Sequence, residues 1–337
     1  MSNLAAHPDE SSLLGDVCLQ PELHLVPTRE VPLGGIRAIT VRRTLPDRTL
    51  PVVGPWCFLD AFDSEADAMT VLPHPHTGLQ TVTWPLDGEI RHRDSLGSDL
   101  VLRPGQLNLM TSGRGIAHSE FSLPATGRLR GLQLWVALPR EAADGPAHFD
   151  HYDALPAVTG PGFEGMVIMG EFAGVASPAR TFSPLVGAEL RLTGVNTALP
   201  LRPDWEYALM VIDGDAASAP ALIEGEATLA PGALLFLGRG REAVSVAGAV
   251  GARLLLLGGA PLADDLVMWW NFVGRSHEEI VAARDAWESG SDRFGSVDGH
   301  DGLRIPAPPM PNVRLTPRRR RGPLAAHPTG GRNPSAG

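Results

Sequence analysis

The most informative absence in this sequence is lysine. The chain has 337 residues, and all 28 of its basic residues are arginine. A phosphate-binding loop of the common type needs a lysine beside the phosphates. A pyridoxal Schiff base or an amine nucleophile needs one in the active site. The composition therefore excludes these classes of enzyme chemistry before any motif is considered.

Cysteine is almost as scarce. The two cysteines, Cys18 and Cys57, are far apart in sequence and form no Cys-x-x-Cys pattern. A disulfide framework or a thiolate zinc site is therefore not expected. Cys57 stands between Trp56 and Phe58, and a free cysteine in such surroundings is predicted to be a small buried apolar residue.

Long apolar runs are missing too. No stretch approaches the ~18 uninterrupted apolar residues of a membrane helix. The best candidate, 247–262, is interrupted by Arg253 and by several glycines. The first residues are polar and acidic, which is unlike a signal peptide. We therefore expect a cytoplasmic protein without a membrane partner.

Several other functional classes find no support in the motifs or the charge. There is no Gly-x-Ser-x-Gly elbow of a hydrolase. Residues 238–243 match a dinucleotide fingerprint by letter, but no strand–helix–strand unit surrounds them, so a turn is predicted. The net charge of −10 argues against direct nucleic-acid binding. The arginine run 318–321 is interpreted as part of a solvated tail.

Short apolar segments separated by glycine and proline dominate what is present. A strand, an Asp-Gly turn, a strand, a Pro-Gly turn and a further strand occur over 81–110, and the same order recurs over 207–237. This repetition predicts an all-β protein with a duplicated barrel or sandwich unit. Ser276 and Glu279 form a capping box, which predicts a helix that Gly290 ends.

Two dyads of potential metal ligands stand out in the first half, His74-x-His76 and His118-x-Glu120. Residues i and i+2 of a strand point to the same face. Two neighbouring strands would thus bring three imidazoles and one carboxylate around one point. Such ligands without thiolate suit Fe(II), Mn, Co, Ni or Zn. The alternative is that these are surface or hydrogen-bonded histidines; His92 is a further candidate, as a ligand or as a structural neighbour of one.

The stretch 73–136 resembles the pirin family, a branch of the cupin superfamily. The resemblance is carried by the runs 74–83, 91–95, 110–120 and 131–136. It implies an all-β fold of two tandem cupin barrels with a short C-terminal helix. It also implies a mononuclear iron in the first barrel, held by the residues that match His74, His76, His118 and Glu120.

The sequence departs from the wider cupin pattern in two places. Gln80 stands where many cupins have a glutamate ligand, and pirins use the later glutamate instead. The corresponding region of the second half, 203–206, offers no histidine. The second barrel is therefore predicted to be free of metal. The predicted division of the chain is a flexible arm 1–22, a metal-binding barrel 23–140, a linker 141–162, a degenerate barrel with the terminal helix 163–310, and a disordered tail 311–337.

The resemblance also implies candidate functions. The leading hypothesis is an Fe(II)-dependent dioxygenase that opens a flavonol such as quercetin with O2 and releases carbon monoxide. Glu120 would be both ligand and general base, with Arg114, His92 and Gln133 as supporting residues. The competing hypothesis is a redox-sensing iron protein that regulates a protein partner. A third is an isomerase using Zn or Mn. All three hypotheses stay open because fold alone does not determine function.

Overall fold

A computed structural model describes residues 11–13, 20–32, 39–65, 69–123, 127–212 and 219–317. Cys18, the Asp213-Gly214 turn, the arginine run 318–321 and most of the predicted arm and tail lie outside these residues.

Strands make up nearly all of the regular structure. In the first half they are β1 (Ser11–Leu13), β2 (Pro21–Val26), β3 (Arg29–Pro32), β4 (Thr40–Leu45), β5 (Trp56–Glu65), β6 (Thr70–His76), β7 (Leu79–Asp87), β8 (Glu89–Asp94), β9 (Asp99–Leu102), β10 (Leu107–Thr111), β11 (Ile116–Leu123), β12 (Arg128–Ala137), helix α1 (Arg140–Ala143) and β13 (His148–Tyr152). In the second half they are β14 (Ala157–Gly160), β15 (Phe163–Phe172), β16 (Val175–Ala176), β17 (Leu185–Leu192), β18 (Asn196–Pro200), β19 (Glu206–Val211), β20 (Ala221–Ile223), β21 (Ala227–Leu229), β22 (Leu234–Gly238), β23 (Ala243–Ala247), β24 (Arg253–Gly259), β25 (Leu266–Trp269), β26 (Phe272–Gly274) and helix α2 (His277–Glu288).

These strands form two barrels, each built from a large and a small antiparallel sheet. The first barrel has the strand orders β13-β10-β7-β12-β5-β4-β3 and β6-β11-β8-β9. The second has β14-β15-β17-β24-β19-β22-β2, with β16 on β15, and β18-β23-β20-β21. The predicted all-β architecture of two tandem barrels with a short terminal helix is confirmed.

The Asp-Gly turn between β7 and β8 differs from the hairpin that its sequence suggests. β7 pairs with β10 and β12, whereas β8 pairs with β9 and β11. The chain therefore crosses from the large sheet to the small one at Gly88. Gly88 has a φ of +82°, and a Cβ there would lie 2.6 Å from the Arg128 carbonyl oxygen. The corner thus needs glycine for both its backbone angle and its packing.

The two barrels share one apolar core between their large sheets. Val82 and Leu134 of the first barrel belong to the same buried cluster as Met210 and Leu257 of the second. The chain also crosses between barrels, because β2 pairs with β22 of the second one. β13 and β14 lie in the predicted linker and extend the first and second large sheets, respectively. The domain boundaries given above stay a prediction.

The C-terminal segment of the chain covers the small sheet of the first barrel. β25, β26 and α2 form a buried cluster with Ala117 of β11, because Ile280, Ala283 and Trp287 face that side of the helix. The following segment continues the cover, with hydrogen bonds from Ala117 N to Phe294 O and from Ile305 N to Pro73 O. The strands β6 and β11 are thus buried on both faces.

Candidate metal centre

The two predicted dyads lie on adjacent strands. β6 and β11 pair antiparallel, with His118 opposite His74 and Ile116 opposite His76. A β-bulge between His118 and Glu120 shifts the register, so that Glu120 lies opposite Val71. Side chains at positions i and i+2 share a face. The four side chains therefore point into the first barrel, while Ala117 faces the C-terminal segment.

The three histidines form a compact cluster of imidazole rings. The ring centroids of His74 and His118 are 4.3 Å apart, and His76 lies 5.1 Å from each of them. One ring nitrogen from each residue lies within 4.8 Å of the others. All three side chains have no exposed surface. This spacing is compatible with a single metal ion that all three rings ligate.

The hydrogen bonds of the rings indicate which nitrogens face that ion. His74 Nδ1 donates to the Leu72 carbonyl oxygen at 2.8 Å, which leaves the lone pair on Nε2. The buried Nε2 atoms of His74, His76 and His118 have no hydrogen-bond partner among the described residues. Buried polar atoms are normally paired, so this group of acceptors fits a bound metal.

The protonation state of the cluster also suits a metal. Burial lowers the pKa of His74 to about 3. Burial and the neighbouring histidines hold the pKa values of His76 and His118 well below the ordinary value. The rings are therefore neutral at neutral pH, and neutral imidazole is the form that binds metal.

Glu120 is placed differently from the histidines. One carboxylate oxygen of Glu120 and one ring nitrogen each of His118 and His92 lie within 4.8 Å of one another. His74 and His76 belong instead to the other such set, with His118. Thr83 Oγ1 lies 3.1 Å from Glu120 Oε1 and 3.1 Å from Gln133 Oε1. The hydroxyl carries one hydrogen and can donate it to only one of these oxygens at a time. The carboxylate is thus at the edge of the imidazole cluster, held by a neighbouring strand.

His92 is buried in the same barrel, beside His118. Its Nδ1 lies 3.5 Å from His118 Nδ1, and its Nε2 lies 3.1 Å from Asp94 Oδ2. β8 pairs with β11 so that Asp94 is opposite His118 and His92 is opposite Glu120. Sequence reasoning considered His92 but missed Asp94. The signal was available, because His92-x-Asp94 has the same i, i+2 spacing as the other dyads.

The other residues considered from the sequence lie farther from the centre or serve the fold. Arg114 is exposed, and its carbonyl oxygen accepts a hydrogen bond from Arg293 Nε at 2.7 Å. Gln80 Nε2 donates to Thr111 Oγ1 and to the Arg180 carbonyl oxygen, at 3.0 and 3.1 Å. Gln80 therefore connects the first barrel to a loop of the second. Arg114 is exposed, whereas the histidine cluster is fully buried.

The second barrel has a different interior. A large buried cluster of aliphatic and aromatic side chains fills it, including Phe163, Leu190 and Leu256. Glu206, in the region that corresponds to the first dyad, accepts a hydrogen bond from Gly54 N of the first barrel at 2.9 Å. Among the described residues, the clusters of three potential ligands lie in the first barrel.

Among the residues that the structure describes, no helix is long and apolar enough to cross a membrane.

Comparisons with known proteins find relatives that span most of the chain. The chain is 44% identical over 319 residues to a Pseudomonas aeruginosa protein named "putative quercetin 2,3-dioxygenase", covering 92% of this chain and 98% of that protein. It is 34% identical over 283 residues to a pirin-like protein of Caulobacter vibrioides, covering 79% and 94%.

A solved structure shows the same architecture. The crystal structure titled quercetin 2,3-dioxygenase from Acinetobacter baumannii superposes with a TM-score of 0.80 at 36% identity, covering 87% of this chain and 98% of that one. Family profiles match twice along the chain, as "Pirin" over residues 38–136 and as "Pirin C-terminal cupin domain" over residues 188–295. The resemblance seen in the sequence is thus confirmed over both barrels, and the chain belongs to the pirin family.

Proposed function

We propose that this protein is a dioxygenase that uses Fe(II), held by His74, His76, His118 and Glu120, to open a flavonol-type substrate such as quercetin with O2. One observation carries the proposal: three neutral imidazoles present unpartnered nitrogens to one another inside the barrel, and a carboxylate lies beside one of them. The names of the Pseudomonas and Acinetobacter relatives support the reaction class.

The donor set is suited to a redox-active or Lewis-acidic divalent ion. Imidazole and carboxylate without thiolate favour Fe(II), and Mn, Co, Ni and Zn are the alternatives. A bound ion of this kind supplies a Lewis acid that lowers the pKa of a substrate hydroxyl. In the proposed mechanism, side chains of the barrel accept the proton and bind the substrate.

Glu120 is proposed to accept the proton of the substrate hydroxyl as general base. Its position at the edge of the imidazole cluster, beside Thr83, suits a carboxylate that changes its contacts when substrate binds. Gln133 shares the Thr83 hydroxyl and can accept its hydrogen when Glu120 is protonated. The hydroxyl of Thr83 can thus move between two acceptors while the proton is held on Glu120.

Two buried donors in the same interior can bind substrate oxygens. Trp135 Nε1 and Asn108 Nδ2 have no hydrogen-bond partner among the described residues. The Trp135 ring lies edge-on to His76 with a centroid distance of 5.2 Å, and Asn108 is directly opposite Thr83 in the sheet. The interior of the first barrel therefore offers polar groups that a polyhydroxylated aromatic substrate needs.

The test is a single-turnover experiment with metal content measured on the same sample. Protein loaded with Fe(II) without oxygen is mixed with quercetin and then with air. The visible absorbance of quercetin should decay, with matching O2 uptake and carbon monoxide release. His118→Ala protein, which lacks one imidazole, is the control and should hold little metal and leave quercetin intact. Stable absorbance with iron bound to the unmodified protein would contradict the proposed substrate.

Burial favours a second candidate function, regulation of a protein partner by the oxidation state of iron. The three histidines and Glu120 have no exposed surface, which suits an ion that is sensed rather than one that meets substrate. In this case the Fe(II) and Fe(III) forms should differ in amide hydrogen exchange over an outer surface, and a partner should bind to only one form. Turnover of quercetin together with identical exchange in both forms would exclude it.

A further inference from the structure

A third dyad lies on the inner face of the small sheet, next to the proposed ligands. His92 and Asp94 of β8 are 1% and 2% exposed, and both lie opposite ligand residues of β11. The His92 ring stacks on Phe149, with centroids 4.4 Å apart and planes inclined by 14°. The ring is therefore held in one orientation between Phe149 and His118.

The hydrogen bonds of His92 and Asp94 indicate which of their atoms donate and which accept. Asp94 Oδ1 accepts from Leu96 N at 2.9 Å and from Ser98 N at 3.1 Å, so a backbone turn fixes the carboxylate. A carboxylate only accepts hydrogen bonds. The contact of 3.1 Å between Asp94 Oδ2 and His92 Nε2 therefore places the His92 hydrogen on Nε2.

The tautomer of His92 then determines that of His118. A neutral imidazole with its hydrogen on Nε2 has a lone pair on Nδ1. That atom lies 3.5 Å from His118 Nδ1, at the outer limit of a hydrogen bond. The pair can be joined only if His118 carries its hydrogen on Nδ1. The lone pair of His118 is then on Nε2, the buried atom without a partner among the described residues.

We propose that Asp94, acting through His92, is a positioning residue that holds His118 in the tautomer and orientation needed to bind metal. This inference rests on the proposed metal centre. His92 and Asp94 take no part as ligands in it. His118 is thus oriented by a side-chain relay, whereas His74 is oriented by the Leu72 carbonyl oxygen.

The sharpest test is Asp94→Asn. The amide oxygen of asparagine can still accept from Leu96 N and Ser98 N, so the turn is kept. Its NH2 group then faces His92 Nε2 and can only donate. His92 must accept there and carry its hydrogen on Nδ1, which forces His118 to carry its own on Nε2, facing the cluster. The relay is inverted while all four proposed ligands remain.

The measurement is Co(II) binding to metal-free protein without oxygen, followed by visible absorbance and by competition with a chelator. Loss of an outer partner of a ligand histidine costs about 10- to 100-fold in metal affinity, and we expect this for Asp94→Asn. His92→Phe keeps the ring that stacks on Phe149 but removes both nitrogens, and should weaken binding similarly. The double variant should bind no more weakly than His92→Phe, because Asp94 acts through His92.

A matched control is His300→Phe. His300 Nε2 lies 2.9 Å from Ser119 Oγ, on the outer face of the strand that carries His118. Its ring stacks on Phe121 as that of His92 stacks on Phe149. This variant should bind Co(II) as the unmodified protein does. Thermal unfolding of each metal-free variant checks that the barrel is intact.

Three results would overturn the proposal. Asp94→Asn could bind Co(II) as tightly as the unmodified protein, or the losses of the two single variants could add fully in the double one. A changed Co(II) spectrum in His92→Phe would make His92 a ligand. If the unmodified protein binds no Co(II) or Fe(II), the metal centre itself is wrong, which is distinct from a failure of the relay alone.

Discussion

Glu120 has the most specific role among the residues proposed to hold the metal. The three histidines contact one another through their rings. Glu120 instead lies near His92 and accepts a hydrogen bond from the Thr83 hydroxyl. A carboxylate at the edge of a cluster of neutral imidazoles can serve as ligand and as proton acceptor. The histidines are proposed to serve only as ligands, because their buried, unpartnered Nε2 atoms lie close to one another.

Glu120→Gln separates these two roles. The amide keeps an oxygen ligand but cannot take a proton at neutral pH, so we expect most of the metal to be retained. Turnover of quercetin should fall by about 100-fold or more, the usual contribution of a general base. Elemental analysis and the turnover rate of the same samples check this. Glu164→Gln, at an exposed position, is the control. Unchanged turnover in Glu120→Gln would refute the proposed role of the carboxylate.

Cys57 illustrates how burial determines the chemistry of a single side chain. Its side chain is fully buried, and its thiol lies 3.6 Å from the Trp135 carbonyl oxygen. Burial raises the pKa of the Cys57 thiol to about 12. Only the thiolate is reactive, and its population falls tenfold for each pH unit below the pKa. The predicted role of Cys57 as a small buried apolar residue is confirmed.

Cys57 should therefore be inert in the folded protein. In a Cys18→Ser background, a chromogenic disulfide reagent at pH 8 should release no thiolate on the timescale in which unfolded protein reacts fully. Addition of urea should expose one thiol per chain. Raising the pH from 8 to 9 should leave the folded protein unreactive, because both values lie far below the raised pKa. Fast labelling of folded protein at pH 8 would contradict the burial.

Helix α2 shows which features of an element can be derived locally. Ser276 has an extended backbone, and its Oγ accepts a hydrogen bond from Glu279 N at 3.2 Å, as the capping box predicts. The reciprocal bond differs, because Glu279 Oε2 accepts from Arg275 N at 2.8 Å. Glu279 therefore binds the backbone N–H of Arg275, one residue before the Ser276 N–H that a capping box predicts. This bond lies where β26 leads into the helix.

Ser276→Ala should lower the free energy of unfolding by about 1 kcal/mol, because it removes the acceptor for an otherwise unpaired helix N–H group. Urea unfolding at equilibrium, followed by circular dichroism, measures the change. Ser289→Ala at the other end of the same helix is the matched control, because Ser289 Oγ donates to the Ala286 carbonyl oxygen at 3.2 Å and caps no helix N–H group. Equal effects of the two substitutions would argue against the cap.

At the scale of the whole molecule, polar contacts cross between the two barrels in addition to their shared apolar core. Trp84 Nε1 donates to Glu189 Oε2 at 2.7 Å, and Arg253 is paired with Glu189 Oε1 at 2.8 Å. Glu189 is 8% exposed. Because the large sheets share one core, this carboxylate links the first barrel to the second inside the interface.

Glu189→Ala should destabilise the protein by about 3 kcal/mol, since it removes one member of a largely buried ion pair and the acceptor of the Trp84 indole. Glu189→Gln should recover part of this, because its amide oxygen can still accept. Glu164→Ala, on the neighbouring strand and exposed, is the control and should change stability little. Urea unfolding that is the same for Glu189→Ala and Glu164→Ala would contradict a stabilising role of Glu189 in the interface.

Many features of this protein could be predicted from residues that lie close together in the sequence. The dyads His74-x-His76 and His118-x-Glu120, the capped helix and the absence of lysine can be read without coordinates, since strand alternation and helix caps involve residues close in sequence. The all-β class and the duplication follow from the same short-range patterns. The family resemblance then predicted two barrels, and the comparisons confirmed it.

The tertiary structure alone decided how these pieces meet. β8 could have paired with β7 across the Asp-Gly turn, but the chain changes sheets at Gly88 and brings Asp94 beside His118 instead. An extra residue in β6 then shifts Glu120 opposite Val71, and the unbroken pairing of β11 with β8 places Glu120 opposite His92. Strand neighbours and register depend on packing between segments far apart in sequence, which no local pattern specifies. The sequence by itself therefore determined which side chains could bind a metal, and the packing of distant strands decided which residues orient them.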